Sequence, residues 1–147
     1  MNIEDLIKKD PSFSLNKFID MAKHVYINLQ SSVMIGNLTS IKNTISDKMV
    51  HKYQQIIDEF NNCNLCQKYD EISITKADLL SINNKDNKYY IIILIVSSSK
   101  DYVVDKKNQE YRYGINNQLV TKNNYLTFIK DYNNKDSSWL LDDIYSN

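Results

Sequence analysis

Apolar side chains recur at intervals of three and four through the first part of the chain, with Leu15, Phe18, Ile19, Ala22, Tyr26, Leu29 and Val33 on one stripe. That spacing predicts a helix with a single buried face. Ser14 stands where an N-cap belongs, and Gly36 with Asn37 supplies residues that tolerate the left-handed backbone ending a helix. Residues 38–45 read as a further short helical segment, after which Ser46 is the cap of another helix. Over residues 47–60, Met49, Val50, Tyr53, Ile56, Ile57 and Phe60 repeat at helical spacing while Lys48, Lys52, Gln55 and Glu59 fill the opposite side.

Beyond Asn61 the period shortens to two. Ile72 and Ile74 alternate with Ser73 and Thr75, and residues 89–96 form an unbroken block of Tyr, Ile, Leu and Val, which favours extended backbone. The block is apolar at both parities, as expected of a central strand covered on both faces or lying where the sheet curves. A turn at residues 83–87 precedes it. Strands are predicted again near residues 125–129 and 139–144, separated by a turn at residues 133–136, and the polar stretch 100–124 reads as an extended hairpin or loop.

Helices followed by consecutive antiparallel strands define an α+β domain: N-terminal helices packed on a curved antiparallel sheet of about four strands. Residues 1–13 read as a lead-in and residues 14–147 as one domain, a size that a single core serves. No strand–helix alternation, Gly-rich phosphate loop or internal repeat is visible.

Composition narrows the function classes. Lys plus Arg and Asp plus Glu both number 18, so no strong field draws the protein to nucleic acid or anionic lipid. The first ten residues mix Glu4 and Asp5 with Lys8 and Lys9 and hold no apolar core, which fits neither a secretory signal nor a transit peptide. The longest apolar run is too short for a helical span, which needs roughly 20 residues. The expected compartment is the cytoplasm, with peripheral membrane association left open.

Several residue types invite chemistry without completing a site. Cys63 and Cys66 have the spacing of a redox pair or of half a zinc knuckle, yet the chain holds only two Cys and two His in all, and His24 and His51 fall on separate helices. A structural or incidental pair is the favoured reading, with a redox-active or disulfide-forming pair and then metal binding as the alternatives. Neither His has a carboxylate partner at helical spacing, and no nucleophile elbow or metalloprotease helix occurs. No metal or cofactor is expected. Many of the 11 Tyr lie in the strand-rich half, but a stacking platform for nucleic acid would also need a basic groove, and sheet packing accounts for them.

Short motifs carry a family resemblance in their order. Asp10, Phe13 and Phe18 provide an opening acid, an aromatic and a helix-borne aromatic. Leu29-Gln30 and Asn37-Leu38 lead to the second long helix, then Ser99-Lys100-Asp101-Tyr102-Val103-Val104-Asp105 follows an apolar strand, and Trp139-Leu140-Leu141-Asp142-Asp143-Ile144 closes the chain. In these the sequence resembles the domain of the translocase of the inner mitochondrial membrane, subunit 44, and its small bacterial relatives. It departs from them at Leu126-Thr127-Phe128-Ile129-Lys130, where relatives often carry a Trp and an Arg.

The resemblance implies a cone of helices against a curved sheet, similar to cystatin and nuclear transport factor two-like folds, with an apolar cavity between the layers. It also implies a link to protein transport, membrane-associated assembly and domain contacts. The expected function is a non-catalytic binding or protein-interaction module, taking a protein partner or an apolar, lipid-like ligand and no nucleic acid. Phe18, Ala22 and Tyr26 of the first long helix and Ile91, Ile93 and Ile95 of the central strand are the candidate pocket-lining residues. The competing readings are a small pocket enzyme of the isomerase or dehydratase kind, and an immunity or assembly partner protein.

Overall fold

Both long helices begin where a Ser hydroxyl accepts a backbone N–H. In the computed structural model, which describes residues 2–147, Ser14 caps Leu15–Ile35 by accepting from the Lys17 amide, and Ser46 caps Asp47–Asn62 by accepting from the Met49 amide. Ahead of them Ile3–Lys9 forms a short helix in the segment expected as a lead-in. Asn2 and Asp5 close a reciprocal capping box there, and Leu6 is wholly buried. In chain order these helices are α1 (Ile3–Lys9), α2 (Leu15–Ile35) and α3 (Asp47–Asn62). At the end of α2, Gly36 adopts φ +80°, the left-handed conformation that turns the chain so that the following Asn37 N–H reaches the Ser32 carbonyl at 3.1 Å.

Residues 38–45 are not the short helix that their pattern predicts. They form turns, with Ile41 N–H bonded to Leu38 O and Thr44 N–H to Ile41 O. The tertiary structure decides this, because Ile45 makes a parallel bridge to Leu141, and Leu141 N–H donates to Thr44 O at 2.9 Å. Backbone groups engaged across to another segment cannot also close helical turns.

The strands are β1 (Leu65–Lys85), β2 (Lys88–Asp105), β3 (Tyr111–Gly114), β4 (Val120–Asp131) and β5 (Leu140–Ser146). They make one antiparallel sheet in the order β1-β2-β4-β5, with β3 added to β2, so there are five strands rather than about four. β3 lies in the stretch whose polarity suggests a hairpin or loop, and its side chains are all exposed, which is why hydrophobic patterning does not reveal it. β1 and β2 join through Asp86 and Asn87, at φ 54° and 64°, a two-residue turn of the kind that suits the twist of a hairpin. Register shifts in β1 near Asp70, Ile74 and Leu79 mark bulges that bend this long strand, giving the sheet its curvature.

Down β2, the odd-numbered Tyr89, Ile91, Ile93 and Ile95 are buried and face the helices, while Tyr90, Ile92, Leu94 and Val96 are half-buried on the other side. β2 is central, as its apolar block predicts, but the helices lie on one face of the sheet. The core joins Phe18, Ala22, Val25, Tyr26 and Leu29 of α2 and Met49 and Ile57 of α3 to Ile91, Ile93, Ile95, Leu126, Phe128 and Leu141 of the sheet. Trp139 lies just before β5, partly buried, against Phe18 at 5.1 Å and Phe13 at 6.2 Å between ring centroids. Among the described residues no helix is long and apolar enough to cross a membrane.

Candidate functional site: the outer face of the sheet

The six residues expected around a pocket are brought together. Phe18, Ala22, Tyr26, Ile91, Ile93 and Ile95 all belong to the core between α2 and β2, and none is more than 5% exposed. Their contact is sealed on its polar side by hydrogen bonds. The Tyr26 and Ser97 hydroxyls share one at 2.9 Å, and Asn124 Nδ2 donates to the Ile95 carbonyl at 2.9 Å and to Ser97 Oγ at 3.0 Å. Ser146 Oγ then donates to Asn124 Oδ1 at 2.6 Å.

Several concavities of the described surface open elsewhere and are lined by other residues. One of about 30 Å³ sits between the ends of α2 and α3, lined by Val33, Ile57, Phe60, Leu65 and Cys66. Another of about 450 Å³ lies at the β5 edge, where Ile45 and Ser46 face Ile129 and Leu140. Ala22→Trp therefore tests whether the α2–β2 layer is packed. With a packed layer the indole should cost about 1–3 kcal/mol or more in chemical denaturation; an undiminished midpoint would reveal space beside Ala22.

Tyrosine–carboxylate pairs, the arrangement that a small pocket enzyme would use, occur outside these concavities. Tyr132 donates to Asp10 Oδ2 at 2.9 Å, and Tyr102 donates to Asp70. The Ser12 hydroxyl foremost, then Tyr132, holds Asp10 below the usual carboxylate range, while hydrogen bonding to Asp70 pushes the Tyr102 phenol up to about 12. These pairs tie elements together, Tyr132 fastening the α1–α2 connection to the end of β4.

Because Asp10 is depressed in the folded state, its contribution to stability is complete above the unfolded value of about 3.9 and is lost as pH falls through the lower folded value. Asp10→Asn should flatten the acid limb of the stability profile below about pH 4 and leave its shape near neutrality unchanged, as read by denaturation at a series of pH values.

His24 and His51 are exposed, and His24 Nδ1 bonds the Asp20 carbonyl of its own helix at 2.7 Å. Cys63 is exposed and Cys66 half-buried, both as free thiols, with Cys66 Sγ donating to the Met34 carbonyl at 3.3 Å. Among the described residues no three His, Cys, Asp or Glu side chains gather to hold a metal.

The side of the sheet away from the helices presents a different surface. Antiparallel register sets residues side by side on one face, and here it lines up three rows. Leu94 lies between Asp78 and Tyr125, with Tyr145 beyond; Ile92 lies between Ser81 and Thr127, with Asp143 beyond; Tyr90 lies between Asn83 and Ile129, with Leu140 beyond. Val96 extends the strip next to Lys76. The Tyr125 and Tyr145 rings stand 6.2 Å apart, and Tyr145 is 63% exposed. Lys76 and Asp78 pair with each other at 3.2 Å on the β1 flank, and Asp143 on the β5 flank faces Lys52 at 4.0 Å, so the strip carries an apolar centre and a border of paired charges. The concavity at the β5 edge shares Ile129 and Leu140 with this face.

The pocket expectation passes over these residues, although their signal is in the sequence: the even parity of residues 90–96 is as apolar as the odd. A single helical layer accounts for only one parity. Edge addition to β1 is less suited to a partner, because its bulges and its Lys68, Asp70, Glu71, Lys76 and Asp78 interrupt a flat pairing edge.

A family model described as a Tim44-like domain matches residues 2–146. Among solved structures, the intermembrane space region of the chloroplast protein ARC6 superposes with a TM-score of 0.54 at 10% sequence identity, covering 87% of this chain and 95% of that one. At that identity the likeness is one of fold. A search of curated proteins finds no match to the sequence.

Proposed function

The chain belongs to the Tim44-like domain family, and from that premise we propose that it is a non-catalytic protein-interaction module, serving protein transport or membrane-associated assembly, that docks a protein partner on the outer face of its sheet. One observation carries this reading: Tyr90, Ile92, Leu94 and Val96 form a continuous apolar strip on the face opposite α2 and α3, and no described element covers it. Contiguous exposed apolar surface with a polar border is the usual anatomy of a protein-binding patch. The α2–β2 layer, by contrast, is occupied by its own side chains.

The test is a photo-activatable side chain at position 94, with Asn28 on the exposed side of α2 as the control position. Irradiation in the native host should give discrete protein adducts from position 94 and none from position 28. Equal yields from the two positions, or none from either, would remove the outer face as the docking surface.

A further inference from the structure

Resting on the docking reading above, we propose that the outer face of the sheet takes a second copy of this chain, giving a twofold dimer in which two sheets pack face to face. The area suits such a pair. Four strands about 4.8 Å apart, with about seven residues rising about 3.4 Å each, span a face of roughly 450 Å² in projection. Two such faces, before side-chain relief and flanks are added, approach the roughly 1,000 Å² that a specific interface needs.

The charge pattern points the same way. A partner recognised by charge would need a field on this face, but Lys76 and Asp78 neutralise each other on its β1 flank, Asp143 beside Thr127 on its β5 flank faces Lys52 of α3 at 4.0 Å, and the strip between the two flanks is uncharged. What such a face complements is another face that is apolar at the centre and neutral at the border. The chain itself provides one, with a formal net charge of zero, so no long-range repulsion holds two copies apart. Two twisted sheets meeting through Ile92, Leu94, Val96, Tyr125 and Ile129 would pack with strands within about 30° of each other, the ordinary geometry of sheet-on-sheet layers. The dimer would also give the even parity of β2 the second covering layer that its composition suits.

Sedimentation equilibrium of the full chain, from low to high micromolar concentration, decides the matter. The wild type should sediment at twice the chain mass. Leu94→Lys should raise the dimer dissociation constant roughly 100-fold or more, because a twofold axis brings two ammonium groups into one interface. Thr127→Lys, at a half-buried position in the middle row, provides a second variant should the first disturb the fold, and circular dichroism checks both. Asn28→Lys on α2 should leave the mass unchanged.

A wild type that stays monomeric overturns the second copy as occupant. Position 94 adducts to other proteins would then show that the docking face survives with a different partner, and absence of any adduct would overturn both. A dimer indifferent to lysine at positions 94 and 127 would place the interface elsewhere and also defeats the proposal.

Discussion

Phe128→Ala should destabilise the protein by about 3–5 kcal/mol, a large share of the roughly 5–15 kcal/mol that holds a domain of this size together. Phe128 is wholly buried on β4, and Phe18 of α2 meets it edge to face with ring centroids 5.3 Å apart. Phe18 also contacts Phe13 at 5.6 Å and Trp139 at 5.1 Å. Truncating Phe128 removes the side chain on which this cluster closes and leaves a cavity that a helix fixed at both ends cannot collapse to fill. Chemical denaturation should show a lower midpoint with an unchanged slope. Trp139→Ala should cost less, about 2 kcal/mol, since the indole is partly exposed before β5. If the order were reversed, the aromatic cluster would be centred on β5 and not on the α2–β4 contact.

Asn124→Leu should cost about 2–4 kcal/mol although Leu is apolar and similar in size. The Asn124 amide is completely buried and serves the Ile95 carbonyl, the Ser97 hydroxyl and the Ser146 hydroxyl, with a longer bond to the Lys122 carbonyl. A Leu there strips those groups of their partner inside a medium that cannot replace it. Tyr26→Phe removes only the far end of the chain of bonds, where Ser97 keeps Asn124, and should cost about 1 kcal/mol. The pair of substitutions should be non-additive by more than about 0.5 kcal/mol in a double-mutant cycle, because the two side chains meet through Ser97. Additive costs would mean that Tyr26 and Asn124 hold their elements independently.

Local chemistry made the helices and most strands legible. A stripe at three and four with Ser14 before it and Gly36 after it leaves α2 few alternatives, since the cap satisfies the first amides and only a left-handed residue turns the chain out of the last turn. The β-branched run of residues 89–96 likewise announces the central strand, and the order of short motifs from Asp10 to Ile144 announces the family. Long-range partners decided the rest. Residues 38–45 have helical spacing but become turns because Thr44, Ile45 and Ser46 bond to β5, and β3 exists only because β2 extends far enough to pair with it.

The candidate site divides along the same line. Sequence parity brings Phe18, Ala22, Tyr26, Ile91, Ile93 and Ile95 to one interface, and there the structure buries all six against one another. Equal apolarity at Tyr90, Ile92, Leu94 and Val96 marks a second apolar surface, because hydrophobic pattern records which side chains gain by leaving water. It carries no record of how many layers the chain itself can supply. Only the tertiary arrangement, with α2 and α3 on the same side of the sheet, leaves the other side uncovered by any described element.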